Sequence, residues 1–262
     1  MAYKRLIGVI PVKHGQVVKS YGYRFWRPAG DLVTAMRNLE RWNADEILVI
    51  DISRRHGLDP EIPKLIKKAG IATPLSYGGG VRTVADALML MGAGCERFVI
   101  ETLVFDAPEK VLELADTVGA QALIASVPLT GSGETLALDH GYAQRFPVSQ
   151  GKISTTELCR RLNELPVAEV MVTAMEREGT YGSFDLLGQD LKDKGFLSGI
   201  NKGIIWFGGL SGRMAGTLLK DPQTIGVAFG NVNTEKELAL PLIRNEFTRA
   251  GAAHEVRTPL LR

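Results

Sequence analysis

Three short segments from the first half of this chain recur, in the same order, in the second. Val9-Ile10-Pro11-Val12 resembles Ser126-Val127-Pro128-Leu129. Ala44-Asp45-Glu46-Ile47-Leu48-Val49 resembles Val167-Ala168-Glu169-Val170-Met171-Val172, and Gly78-Gly79-Gly80-Val81-Arg82 resembles Phe207-Gly208-Gly209-Leu210-Ser211. A duplicated unit that cannot bury its own apolar face must close on its copy. The halves fall at about residues 1–120 and 121–250.

Short apolar, β-branched runs complete the pattern. They lie at Arg5–Ile10, Ile47–Ile52, Pro74–Tyr77, Arg97–Glu101, Ala122–Val127, Glu169–Ala174, Gly203–Phe207 and Ile225–Phe229. They lack clean alternation, as parallel strands covered on both faces do. Helical patterns lie between them. Asp31 caps Leu32–Trp42, Thr83 and Asp86 form an acidic capping box, Pro108 opens a first turn, and Ser154 with Glu157 forms a second box. Alternating strands and helices in two matching halves predict a single (β/α)8 TIM barrel over residues 1–262. Two insertions stand out. Tyr21, Tyr23, Phe25 and Trp26 occupy a long loop after the first strand, suited to closing over a ligand or packing on a protein. Thr130 to Ile153, with Gly131, Gly133, Gly141 and Gly151, reads as a long loop or hairpin on the same face.

Composition narrows the function. Apolar residues make up 45% and charged residues 23%, the profile of a soluble globular protein. A net charge of +2 without a basic block argues against nucleic acid. The apolar run near the N-terminus is too short for a signal segment or a membrane span, so a cytoplasmic protein is expected. Cys95 and Cys159 lack the spacing of a zinc site or a disulfide framework. His14, His56, His140 and His254 are scattered, and neither a metal nor a cofactor is expected.

In a barrel of this kind, chemistry sits at the C-terminal ends of the strands. Gly79 and Gly80 follow the third strand, and Gly208 and Gly209 the seventh. Glycine lets backbone approach a ligand, and the following helix offers free N–H donors to an anion. Two such loops half a barrel apart suit a ligand with phosphate at each end. Gly230 and Asn231 complete the second site. Thr102 completes the first, where Glu101 opposes a phosphate unless it turns to Arg82 or Lys13. At the other end Arg5, Glu46, Arg97 and Glu169 open strands one, two, four and six. Their alternating signs suit a salt-bridged ring that gates a central pore for a small neutral molecule. Trp206, just before the second glycine pair, is assigned to core or rim packing, with stacking on a ligand as the minor alternative.

Several runs together resemble the cyclase subunit of imidazole glycerol phosphate synthase, the HisF-type family. They are Val12-Lys13-His14-Gly15, Val17-Val18-Lys19, Ala29-Gly30-Asp31, Ala44-Asp45-Glu46, Asp51-Ile52, Gly78-Gly79-Gly80-Val81-Arg82, Gly92-Ala93-Gly94 and Thr173-Ala174-Met175-Glu176-Arg177-Glu178-Gly179-Thr180. The resemblance runs from Lys4 to about Val232, and its last run is quite specific. It implies a separate HisH-like glutaminase on the N-terminal face and ammonia passing through the barrel. It implies cleavage and cyclisation of a bis-phosphorylated ribulosyl nucleotide of histidine synthesis at the top. By the same resemblance Arg5, Glu46, Arg97 and Glu169 are the ammonia gate, with Arg97 where lysine is usual. Glu96 lies near the glutaminase rim, and Gly179 joins the phosphate-binding set.

The departures cluster at the top. The two catalytic aspartates that the family places at the ends of strands one and five are Pro11 and Pro128 here. Proline cannot move a proton, and general acid–base steps contribute typically 10²–10⁴-fold each. The expected asparagine after strand four is Glu101, and the expected aspartates after strand six are Glu176 and Glu178. Lys13, Asp51 and Glu101, with Glu176 and Glu178, are the polar groups left for catalysis. Three functions follow. The favoured one is a divergent subunit that takes ammonia from a glutaminase into a non-histidine pathway, such as amidino-sugar synthesis for a surface polysaccharide. The second is an ordinary histidine-pathway cyclase in which Asp51 or Glu101 replaces the missing groups. The third is a non-catalytic scaffold that activates a glutaminase and needs no open pore.

Overall fold

The apolar runs form strands buried on both faces. The structure, a computed structural model, describes residues 3–53, 57–130, 136–138, 152–184 and 196–258. The barrel strands are β1 (Arg5–Lys13), β4 (Glu46–Asp51), β5 (Leu75–Gly78), β6 (Arg97–Ile100), β7 (Leu123–Thr130), β10 (Glu169–Ala174), β11 (Gly203–Phe207) and β12 (Thr224–Phe229). All are parallel, and β12 pairs with β1, so the sheet closes. This is the expected (β/α)8 barrel. Helices α1 (Leu32–Arg41), α2 (Glu61–Ala69), α3 (Val84–Ala93), α4 (Thr102–Asp106), α5 (Pro108–Val118) and α6 (Thr155–Glu164) surround the first six strands. The outer layer closes with α7 (Phe196–Gly199), α8 (Gly212–Leu218), α9 (Val232–Glu235) and α10 (Ala239–Arg249).

Strand periodicity sorts the core into two. Outward residues such as Leu6, Val49, Val170 and Val172 pack with Leu32, Met36 and Leu39 of α1 and the other helices. Inward residues Ile7, Val9, Leu48, Ile50, Val99, Ile124, Met171, Ile205, Phe207 and Ala228 fill the barrel. The caps form largely as expected. Asp31 accepts from the Thr34 N–H at 2.9 Å, and both arms of the Thr83–Asp86 box are present. The second box is only half made. Ser154 accepts from Glu157 N–H, but the Glu157 carboxylate binds Arg160 and Arg161 and does not return to the cap.

The loop expected after the first strand is instead a β-hairpin. β2 (Gln16–Tyr21) pairs antiparallel with the end of β1 and with β3 (Phe25–Asp31). Positive φ at Gly22 (58°) and Tyr23 (53°) makes the tight turn. Phe25 is 75% exposed, whereas Tyr23 is buried in the inner core. The second half carries a matching arm, in which the end of β7 pairs antiparallel with β8 (Leu136–Leu138) and that strand with β9 (Lys152–Ile153). Gly131, Gly133, Gly141, Gly151, His56 and His140 lie outside the described residues. Among the described residues no helix is long and apolar enough to cross a membrane.

β1 and β7 run further than the apolar runs suggest, which places Pro11 and Pro128 inside strands. Pro11 pairs with Ile50, and Pro128 with Thr173. Each sits where its strand has outrun one barrel neighbour. β12 pairs with β1 only as far as Gly8, and β6 with β7 only as far as Ala125. On that side each strand has a short unpaired gap before its hairpin strand joins it at Val12 or Leu129, and a proline is tolerated in such a gap.

Candidate functional site

The charged residues at the strand starts meet at the bottom of the barrel. Arg5 spans two carboxylates, with Nη1 2.7 Å from Glu46 Oε2 and Nη2 2.6 Å from Glu169 Oε2. Arg97 Nη1 reaches Glu169 Oε1 at 2.7 Å. The other Glu46 oxygen accepts from Ser76 Oγ. The expected ring is thus a chain of four charges ended by a serine. Ser76 escaped the sequence reading because it carries no charge, although it is the second residue of β5, the strand between those of Glu46 and Arg97. Burial by itself would lower the Arg5 pKa, but the two carboxylates outweigh it and the net shift is upward. Arg5 stays charged. The inward side chains of the next layer, Ile7, Leu48, Val99 and Met171 among them, are apolar.

At the top, Pro11 and Pro128 are both buried. The polar candidates around them are seated separately. Lys13 Nζ lies 4.7 Å from the centre of the Trp26 ring, on the hairpin. Asp51 accepts from Ser53 N–H at 2.8 Å, and Ser53 Oγ accepts from His14 N–H, which ties the ends of β1 and β4 together. Glu101 accepts from Ser126 Oγ at 3.2 Å. Thr102 opens α4, and Glu176 is exposed. Trp206 points outward into the helix layer, donates to Thr224 Oγ1 and meets Phe184 edge to face, so it stacks on no ligand at the top.

The two glycine loops have nearly one geometry. Gly79 and Gly80 have φ of 95° and 77°, and Gly208 and Gly209 have 97° and 74°. A Cβ on Gly79 would strike the Asp51 carbonyl, and one on Gly208 would come 2.6 Å from the Ala174 carbonyl. Each loop therefore folds onto the end of the preceding strand, which only glycine permits. Gly179, Gly208, Gly209, Gly230 and Asn231 line one cleft, together with Glu178, Tyr181 and Glu235. Gly79, Gly80 and Thr102 belong to the opposite half and not to this cleft.

Two members of the cleft act as clamps. The Asn231 side chain accepts from Ser20 N–H at 3.0 Å and donates to the carbonyls of Ser20 and Gly179. Its amide is thus committed to the hairpin and to Gly179. Glu178 is 2% exposed and accepts from Ser20 Oγ at 2.9 Å and Tyr23 N–H at 3.2 Å. Burial raises its pKa, against the pull of those hydrogen bonds. Glu235 pairs with Lys19 at 3.6 Å. The sequence reading missed Tyr181, whose hydroxyl accepts from Gly212 N–H and donates to Glu246. Its place beside Gly179 was the available signal.

The family described as Histidine biosynthesis protein matches residues 5–200. That span includes Arg5, Glu46, Arg97 and Glu169 and the Glu176–Gly179 turn. The chain belongs to the HisF-type cyclase family. It is 30% identical to the imidazole glycerol phosphate synthase subunit HisF of Thermococcus gammatolerans over 188 residues, 71% of this chain and 73% of that one. It is 27% identical to the same subunit of Pyrococcus furiosus over 188 residues, with the same coverage. Within this HisF-type chain Gly208, Gly209, Gly230 and Asn231 lie beyond the matched span, yet they share a cleft with Gly179, which lies inside it.

Proposed function

We propose that this HisF-type chain takes ammonia from a HisH-like glutaminase docked on the N-terminal face of its barrel and supplies it to a pathway other than histidine synthesis. Amidino-sugar synthesis for a surface polysaccharide is the proposed setting, by family analogy. The observation that carries the reading is the contrast between the two ends. Arg5, Glu46, Arg97 and Glu169 interlock at the bottom, while buried Pro11 and Pro128 hold the positions where the family's proton-transfer groups are expected. Decay without selection would erode both ends alike. The glycine cleft at Gly179, Gly208, Gly209, Gly230 and Asn231 is assigned to a phosphorylated ligand. Gly79, Gly80 and Thr102 are assigned to a second anionic group. Lys13, Asp51 and Glu101 are the groups placed for chemistry on such a ligand.

The test is turnover of the histidine-pathway ribulosyl nucleotide under saturating ammonium, which bypasses any glutaminase. With two acid–base steps each contributing typically 10²–10⁴-fold, turnover should fall at least about 10⁴-fold below an ordinary family enzyme. Circular dichroism verifies the fold. Turnover near the ordinary rate overturns the proposal. It would leave the second reading, which the shared identity with histidine-pathway subunits favours, with Asp51 or Glu101 as acid and base.

A further inference from the structure

Between the gate and the top face the barrel carries a second polar layer. Strand alternation points Thr173 inward with Glu169 and Met171, and Ser126 inward with Ile124. Glu101 follows Arg97 and Val99 at the same spacing, and its carboxylate accepts from Ser126 Oγ. Thr173 is 1% exposed, and its Oγ1 has no hydrogen-bond partner among the described residues. Buried hydroxyls are nearly always paired, so this one marks the place of a small polar species that is not part of the chain. Tyr23 packs in the same cluster as Ile50, Val99 and Met171, so the species lies under the hairpin and is small.

We propose that Glu101, Ser126 and Thr173 form a binding site for a monovalent cation of ammonium size at the upper end of the barrel interior. The chemistry selects the occupant. A carboxylate repels phosphate and other anions, so the species is neutral or cationic. One carboxylate and two hydroxyls are too few anionic ligands for a calcium site, and among the described residues no histidine or cysteine joins them to suit zinc. Ammonium offers N–H donors in several directions, which matches acceptor oxygens on separate strands. This inference rests on the ammonia-supply reading and deepens it, since it places a holding site at the exit of the pore.

Thallium(I) has nearly the radius of ammonium and scatters X-rays strongly. Crystals of the full chain soaked in thallium(I) acetate should show an anomalous peak coordinated by Glu101 and Thr173. The peak should vanish on transfer to ammonium acetate but survive sodium acetate. It should be absent in Glu101→Gln and weakened in Thr173→Val. Should the charge variant fail to fold, the threonine variant alone decides. An ordered water with no thallium peak, or a peak that persists unchanged in both variants, overturns the proposal. The supply reading fails separately, if a glutaminase complex transfers no ammonia, and ion binding is measured without that partner.

Discussion

At Glu178 a carboxylate is buried because the hairpin uses its oxygen as an anchor. Ser20 Oγ and the Tyr23 N–H both bind it, while its Oε1 has no hydrogen-bond partner among the described residues. Burial raises its pKa in the folded state above the unfolded value of about 4.3. An acid shifted upward contributes stability below the unfolded pKa, and the contribution is lost as pH rises through the folded pKa. Stability should therefore decline as the solution moves from about pH 4 toward neutral, to the extent set by this group. Glu178→Gln keeps an acceptor for Ser20 and Tyr23 without the charge. At pH 7 it should raise the unfolding free energy by up to about 1 kcal/mol and flatten the pH profile, measured by urea denaturation. A lower stability at every pH would show that the carboxylate is held charged. The sequence exposed Glu178 only as a departure from a motif. Its role as a latch needed the hairpin, twenty-odd positions into the chain, to fold back on it.

At the scale of elements, the glycine loops were legible and their geometry was not. The triplet Gly78-Gly79-Gly80 and the pair Gly208-Gly209 announce tight turns before helices. Which glycine is indispensable depends on what faces it. Gly79 and Gly208 have positive φ and face backbone carbonyls, whereas Gly92 in α3 has open space. Gly79→Ala and Gly208→Ala should each cost about 2 kcal/mol or more through strained backbone and a carbonyl clash. Gly92→Ala should stabilise by about 0.4–1 kcal/mol by restricting the unfolded chain. Thermal unfolding of the three variants checks this, and equal effects would contradict the geometry. The hairpin after β1 escaped the sequence reading because its residues look like an aromatic-rich loop. Gly22-Tyr23 is not a strong turn signal, and the pairing of β2 with β1 is a tertiary event.

At the scale of the whole molecule, Arg5 joins strands that lie far apart in sequence. Through Glu46 and Glu169 it ties β1 to β4 and β10, and Arg97 extends the link to β6. Removing Arg5 leaves two largely buried carboxylates facing each other. Arg5→Ala should cost about 3–5 kcal/mol, read from urea denaturation. A cost under about 1 kcal/mol would mean that solvent already screens the chain of charges. In a glutaminase complex the same variant should alter ammonia transfer if the pore is a conduit, and leave it unchanged if the barrel is only a scaffold.

The sequence by itself determined the repeat, the eight strands, most of the caps, the charges at the strand starts and the prolines at positions 11 and 128. Each of these is written in local pattern, where residue type and spacing suffice. Only the tertiary structure decided that Ser76 ends the chain of charges at the barrel bottom, that Asn231 and Glu178 hold the hairpin, and that Glu101, Ser126 and Thr173 face one interior. It also decided that Pro11 and Pro128 sit where one side of their strand is briefly unpaired. Those facts depend on register between strands more than twenty residues apart, and register follows from closing the barrel as a whole.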